Sequence, residues 1–318
     1  MHQTQENGTI SLHPYNEHDR LATHSVLEWR IEAEKNMADD KMQQQRFELK
    51  YLLNEEVALG IRAFVSSYLE LDEYAVGKPN NSYTIHSLYL DSDDLRLYWG
   101  TINGVKNRYK LRLRFYNEKS PVFFEIKRRM NNCIMKQRAG VKREYVQDVL
   151  SGIIRPDFLA KNDSKSLQAA QNFIYLMQSV HAQPKVHISY LREAWVTPEN
   201  NSIRLTFDRA VSAEREIVPN LKDDVSKSTR TELAKHVILE LKFTGRYPHW
   251  FRDIVETFNL TQTGAAKYCE GVIALGEEKM WGSSARNDNR VLPMIPGWDF
   301  APMGISLLEL NQLKNKNK

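Results

Sequence analysis

Only two cysteines, Cys133 and Cys269, occur in the 318 residues, and neither sits in a CxxC or Cys/His spacing. That argues against a disulfide framework and a thiolate zinc site. The nine histidines are scattered with no His-x-x-x-His pair, so a histidine-based metal site is not expected. There is no Walker-type glycine loop and no GxGxxG, so a bound nucleotide has no helix-terminus phosphate cradle to use. No stretch approaches the ~18 apolar residues needed to cross a bilayer, and the mean hydropathy is -0.55. Met1 to Ile10 lacks both a basic and an apolar signal segment, which makes the cytoplasm the expected compartment.

What is present is an uneven distribution of charge. The whole chain carries a formal +4, yet Lys106 to Arg143 holds thirteen Lys/Arg against Glu118 and Glu125 alone. This points to an anionic partner for that stretch. With 42% hydrophobic residues, the chain also has the material for a sizeable core.

Residues 1–44 are polar, with a weak helical stripe (Val26, Trp29, Ala33, Met37), and read as an accessory arm. The patterned part spans 45–278, and 279–318 reads as a tail. Alternation predicts strands at Arg46–Leu53, Tyr83–Leu90, Arg108–Tyr116, Val122–Arg129, Arg138–Lys142, Val186–Trp195, Ile203–Arg209 and Val237–Phe243. Turn signals such as Asn103-Gly104 and Ser120-Pro121 separate them. Helices are expected from Asn54, as N-cap, to about Leu69, near Glu144–Leu150, over Ser164–Val180 and from about Trp250 to Leu275.

Three of the strands contain Glu-x-Lys: Glu48/Lys50, Glu125/Lys127 and Glu240/Lys242. A fourth contains Lys110, Arg112 and Arg114 at every second position. Residues i and i+2 share one face of a strand, so the charges line one wall and the intervening apolar residues the other. In an ordinary antiparallel sheet the charged wall faces water. Here the apolar faces are matched by helices with apolar stripes of their own, which turns the charged faces inward. The expected fold is therefore α+β, an antiparallel β-barrel tunnel with helices packed outside. Cations facing one another across such a lumen repel by several kcal/mol per pair at an effective dielectric of about 20. A polyanion with a divalent cation satisfies both sets: phosphate oxygens take Lys and Arg, and the metal takes the carboxylates. Arg204, Thr206 and Asp208 share a face in the same way, Tyr190 and Arg192 lie on one upstream, and Lys136, Arg138 and Lys267 add cations near the openings.

At this point the chain resembles the VTC domain, the polyphosphate polymerase domain of the vacuolar transporter chaperone family within the CYTH-like triphosphate tunnel metalloenzymes. The resemblance rests on Arg46-Phe-Glu-Leu-Lys-Tyr51, Tyr109-Lys-Leu-Arg-Leu-Arg114, Phe124-Glu-Ile-Lys127, Ile203-Arg-Leu-Thr-Phe-Asp-Arg209 and Leu239-Glu-Leu-Lys242, in that order. It implies a transferase that adds the γ-phosphate of ATP to a growing polyphosphate chain with a divalent metal, Mn²⁺ or Mg²⁺. Carried over, Lys50, Arg112, Arg114 and Lys127 are the catalytic candidates. Lys136, Arg192 and Lys267 are further phosphate contacts on the same resemblance, and Arg138, Arg204 and Lys242 join them as phosphate-binding candidates from their places in the charged pattern. Glu240 is the implied metal ligand, with Glu48 and Glu125 as supporting carboxylates. The expected partners are ATP, pyrophosphate and polyphosphate, with any membrane-protein partner encoded elsewhere.

Two positions depart from the family pattern. Arg46 stands where tunnel hydrolases and cyclases carry a first acid, which favours the polymerase, and Gly264 stands where the family often has a second lysine three residues before Lys267. A tunnel triphosphatase or polyphosphatase, and a non-catalytic polyphosphate-binding module, remain the alternatives. Tyr109, Phe115 and Tyr116 beside the basic stretch are compatible with base stacking, but glutamates interleaved with the cations repel nucleic-acid phosphate, so no nucleic acid is expected.

Overall fold

The computed structural model describes residues 46–131, 133–198 and 202–281. The chain divides into two units, Met1–Arg46 and Phe47–Lys318, and the described residues belong almost wholly to the second. The expected helical stripe of the arm and the tail beyond 281 lie outside the described residues.

One antiparallel sheet organises the unit. Its strands are β1 (Arg46–Leu53), β2 (Glu70–Leu71), β3 (Tyr83–Asp91), β4 (Asn107–Phe115), β5 (Val122–Met130), β6 (Cys133–Val141), β7 (Gln183–Val196), β8 (Ile203–Arg215), β9 (Thr229–Arg230) and β10 (Val237–Thr244). The main path runs β1-β10-β8-β7-β3-β4-β5-β6, with β2 on β7 and β9 on β8. Every predicted strand is present. The return near Arg138 begins five residues earlier, at Cys133, because it pairs with β5 along its whole length.

The barrel differs from expectation in one respect. Among the described residues no ladder joins β6 to β1, so hydrogen bonds do not close the sheet. A side-chain pair crosses the interior near this gap: Lys127 on β5 donates to both carboxylate oxygens of Glu48 on β1, at 3.2 and 3.3 Å.

The helices are α1 (Glu55–Val65), α2 (Arg96–Ile102), α3 (Val146–Leu150), α4 (Ser164–Ser179), α5 (His249–Thr257), α6 (Lys267–Leu275) and α7 (Glu277–Met280). Asn54 caps α1 as predicted, its side chain accepting from the Val57 N–H at 2.8 Å. The apolar faces of the strands meet these helices in two clusters. Phe173 and Ile174 of α4 pack with Leu111, Leu113, Phe124 and Ile126. Ala58, Ile61 and Val65 of α1, with Phe251 and Ile254 of α5, pack with Leu205, Phe207, Leu239 and Leu241. This cover over the apolar face leaves the opposite face, with its charges, to line the inside.

The predicted terminal helical section is two helices. Asn259, with φ of +48°, takes a left-handed conformation that ends α5, and the connecting segment crosses β1, where the Thr263 N–H donates to the Lys50 carbonyl at 2.9 Å. That crossing delivers α6 to the inner face. Gly271 permits the docking: a Cβ there would lie 3.2 Å from Val186 and 3.3 Å from Ala213, and closer still to Ile188. Helix α2 has no counterpart among the expected helices. Its N-terminus is held by Asp91, whose carboxylate accepts from the Leu97 and Tyr98 N–H groups at 2.9 and 2.8 Å, a cap supplied from the end of β3.

Candidate functional site

The strand register sets out the inner face in rows. Lys110, Lys127 and Lys136 lie opposite one another across β4, β5 and β6, and Arg112, Glu125 and Arg138 form the next row. On the other wall, Glu240 faces Thr206 and Lys242 faces Arg204, while Arg192 faces Asp208. These walls enclose a cavity of about 370 Å³ lined from seven strands, the 262–266 segment, α2 and α6. Twelve Lys/Arg line it against two acids, Glu48 and Glu240.

Lys50, Arg112, Arg114, Lys127, Lys136, Arg192, Lys242, Lys267, Glu48 and Glu240 all line this one cavity. Glu125, Arg138 and Arg204 do not. Glu125 lies beside it, with its carboxylate 2.6 Å from Arg112, 3.3 Å from Arg138 and 3.8 Å from Arg114. Arg204 turns to Asp72 at 2.6 Å and to the Tyr83 hydroxyl at 3.3 Å.

The two lining glutamates do different work. Glu240 is nearly enclosed and meets Lys242 at 2.6 Å, Lys267 at 3.2 Å, Lys50 at 3.4 Å and Arg192 at 3.5 Å. Burial opposes its charge, but these cations more than offset that and hold its carboxyl well below the usual range. Glu48 takes Lys50 at 3.1 Å and Lys127 at 3.2 Å. Asp208, fully buried behind the wall, clamps Arg192 through two bonds of 2.6 Å and takes Lys267 at 2.7 Å. Burial works against the Lys267 ammonium, yet Asp208 and Glu240 raise its pKa.

Other cations are less well compensated. Burial, aided by neighbouring ammonium groups, pulls Lys127 down to about 8 and Lys136 to about 7, and burial lowers Lys110 as well. Lys136 is the more exposed of the first two, and solvent screens part of the repulsion on it, so Lys127 is the better-defined titrating group. Among the described residues, Lys110 and Lys136 make no ion pair.

Beyond the site candidates, the cavity wall includes Lys110 and Tyr190, which alternation places on the charged faces, and Arg108, Arg129 and Tyr89, which are not among the expected residues. For Lys110, Arg108, Arg129 and Tyr190 the signal is available in the sequence, since each lies an even number of positions along its strand from a named one, whereas Tyr89 lies on β3, which carries no named residue. Asp208 lies on the expected face and takes a role, clamping Arg192, that alternation alone does not indicate. Tyr109 and Phe115, compatible with base stacking on sequence grounds, are core residues with 1% exposure each.

Two carboxylates sharing one ammonium, Glu48 and Glu240 across Lys50, suit a hard divalent ion of the kind that takes one or two protein carboxylates and completes its shell with phosphate oxygens and water. Glu125 is not brought to them. No group of three or more His, Cys, Asp or Glu side chains placed to hold a metal occurs among the described residues.

Fold and site together define an antiparallel-sheet protein with a cation-lined, tunnel-like interior. The chain belongs to the VTC domain family, whose model matches residues 45–275. It is 25% identical over 193 residues to vacuolar transporter chaperone complex subunit 4 of Schizosaccharomyces pombe, covering 54% of this chain and 26% of that protein. To subunit 2 of the same complex and organism it is 27% identical over 133 residues, covering 38% and 18%. The chain thus spans about a quarter or less of these relatives. Among solved structures, a candidate adenylate cyclase from Bacillus halodurans aligns with TM-score 0.39 at 14% identity, covering 70% of this chain and 94% of that one. The Hippeastrum protein HpAC1, described as having a dominant triphosphatase activity, aligns with TM-score 0.39 at 13% identity, covering 70% and 93%.

Proposed function

We propose that this chain is an ATP-dependent polyphosphate polymerase, transferring the γ-phosphate of ATP to a growing polyphosphate chain inside the cation-lined cavity. The observation that carries the reading is the convergence of twelve Lys/Arg side chains from separate elements on one cavity with two lining acids. A run of phosphates is the ligand that meets so many cations in a row at once. Membership of the VTC domain family supports it.

Phosphoryl transfer asks little covalent chemistry of a protein, and positioning with charge neutralisation supplies most of the acceleration. Arg112 and Arg114, pinned by Glu125, and Arg192, pinned by Asp208, are pre-set forks that can fix phosphate oxygens without reorganising. Lys50, Lys127 and Lys242 reach inward from three strands, so a donor and an acceptor lying end to end are gripped on all sides. Glu48 and Glu240 are the residues that would hold a divalent ion, Mg²⁺ or Mn²⁺, which draws charge from phosphate oxygens when bound. The relatives are subunits of a complex, and a membrane-protein partner belongs to this reading. No described helix is long and apolar enough to cross a membrane.

The test is incubation with ATP and Mn²⁺, resolving products by chain length, for the wild type and Lys127→Ala. Polymer is expected from the wild type and none from the variant, with the fold intact. Free phosphate without polymer would show hydrolysis instead, and full activity in Lys127→Ala would remove the assignment.

A further inference from the structure

The charged cavity has no evident place for a nucleobase: its wall is cationic, and the rings that reach it, Tyr89, Tyr109, Tyr190 and Tyr268, belong to the buried core. One end of the tunnel is different. There the inner face carries consecutive rings, Tyr74 with Tyr83 at 6.4 Å, Tyr83 with Tyr116 at 6.3 Å, and Tyr116 with Phe123 at 6.0 Å between centroids. They come from the loop after β2, the start of β3, the end of β4 and the start of β5, so four separate segments build one aromatic collar.

The register places the collar directly beside the phosphate-sized cavity. Phe123 lies opposite Arg114 and Tyr83 opposite Arg192, and both arginines line the cavity. Cross-strand neighbours sit about 5 Å apart, which is the step from the α-phosphate of a nucleotide to the ribose esterified to it. The collar already holds planar cations in the manner proposed for a base: the Arg138 guanidinium lies 3.5 Å from the Phe123 ring centre, and Arg204 and Arg138 donate to the Tyr83 and Tyr116 hydroxyls at 3.3 and 3.4 Å. Tyr74 leaves 67% of its surface exposed.

The geometry points to this collar as the nucleoside-binding site of the protein, where Tyr116, Tyr83 and Tyr74 stack the base of a nucleoside triphosphate whose phosphates reach Arg114 and Arg192. The proposal rests on ATP being the donor. It gives Arg138 and Arg204, which lie off the cavity, a place at the nucleoside end. Recognition by ring faces is tolerant of base identity, so GTP binds about as well as ATP, while tripolyphosphate, which has no base, ignores the collar.

The experiment is calorimetric titration of ATP, GTP and tripolyphosphate into the wild type, Tyr116→Leu and Tyr74→Leu. Loss of one stacking partner weakens binding roughly tenfold. The expected result for Tyr116→Leu is about that loss for ATP and GTP, with tripolyphosphate changed less than about twofold. Tyr74→Leu, at an exposed ring with little role in folding, is expected to shift in the same selective direction, and it keeps the test decisive if Tyr116→Leu does not fold. Equal losses for all three ligands, or none for any, would overturn the collar. A wild type that binds tripolyphosphate and not ATP would overturn it too while leaving a polyanion site, and one that binds neither would remove the proposed function itself.

Discussion

Replacing Glu240 with Gln is the sharpest probe of how the cavity is held together. Glu240 lies between 2.6 and 3.5 Å from four cations, Lys242, Lys267, Lys50 and Arg192. At about 3 Å and an effective dielectric of about 20, each contact is worth roughly 5 kcal/mol of direct attraction, which the desolvation of the carboxylate largely offsets. The net cost of removing one partner from a buried ion pair is about 3–5 kcal/mol. In a unit of this size about 1 kcal/mol moves the melting temperature by roughly 2–4 °C, so Glu240→Gln melts on the order of 10 °C below the wild type. The same change adds one positive charge to the lumen, so tripolyphosphate without metal is expected to bind the variant more tightly and to raise its melting temperature by more than it raises that of the wild type. Differential scanning fluorimetry with and without tripolyphosphate reads both effects. A variant that melts within a degree or two of the wild type, or gains no more from tripolyphosphate, would refute the charge accounting.

The depressed Lys127 predicts a pH dependence. A bound polyanion raises its pKa from about 8 back toward the ordinary lysine value, so this part of the affinity is complete below about pH 8 and is lost as pH rises through the bound-state pKa. Titration of tripolyphosphate at pH 8.5 in buffers of different ionisation enthalpy should show proton uptake, and none would contradict the shift. Gly264 lines the cavity with no atom within 4 Å of a would-be Cβ, so Gly264→Lys is expected to fold normally and to bind tripolyphosphate several-fold tighter, with a steeper salt dependence. Unchanged affinity would mean the added ammonium does not reach the phosphates.

Much of the site is legible in the sequence because a strand repeats every two residues. Once Glu48 and Lys50, or Lys110 to Arg114, are placed on strands, their sharing of a face follows, and the helical stripes of α1 and α4 indicate which face is covered. What alternation does not contain is register. It cannot show that Glu125 falls among three arginines while Glu48 and Glu240 meet at Lys50, nor that Arg138 and Arg204 turn to the tyrosines at one end. It also cannot show that the sheet stays open between β1 and β6, because an edge is a property of the whole strand order. The run from Trp250 to Leu275 reads as one helical section, and it breaks from Phe258 to Ala266, a segment whose second residue is the left-handed Asn259. Helix α2 is hidden because its cap, Asp91, belongs to the preceding strand.

The lumen cations fall into two groups, and the division bears on the order of events when an anion enters. Arg112, Arg192, Lys50, Lys242 and Lys267 are each held by an acid of the protein, so a phosphate that engages them finds their charge already partly neutralised by a carboxylate. Lys110 and Lys136 have no such competitor among the described residues, and burial makes their charge costly in the free protein. An incoming phosphate therefore gains most where these two lysines flank Lys127 in one row. On the proposed function, a phosphate engaged there would compete with Glu48 for Lys127, the contact that bridges β5 to β1. The interior would then link the arrival of a polyanion to the availability of Glu48 through the contact between β5 and β1.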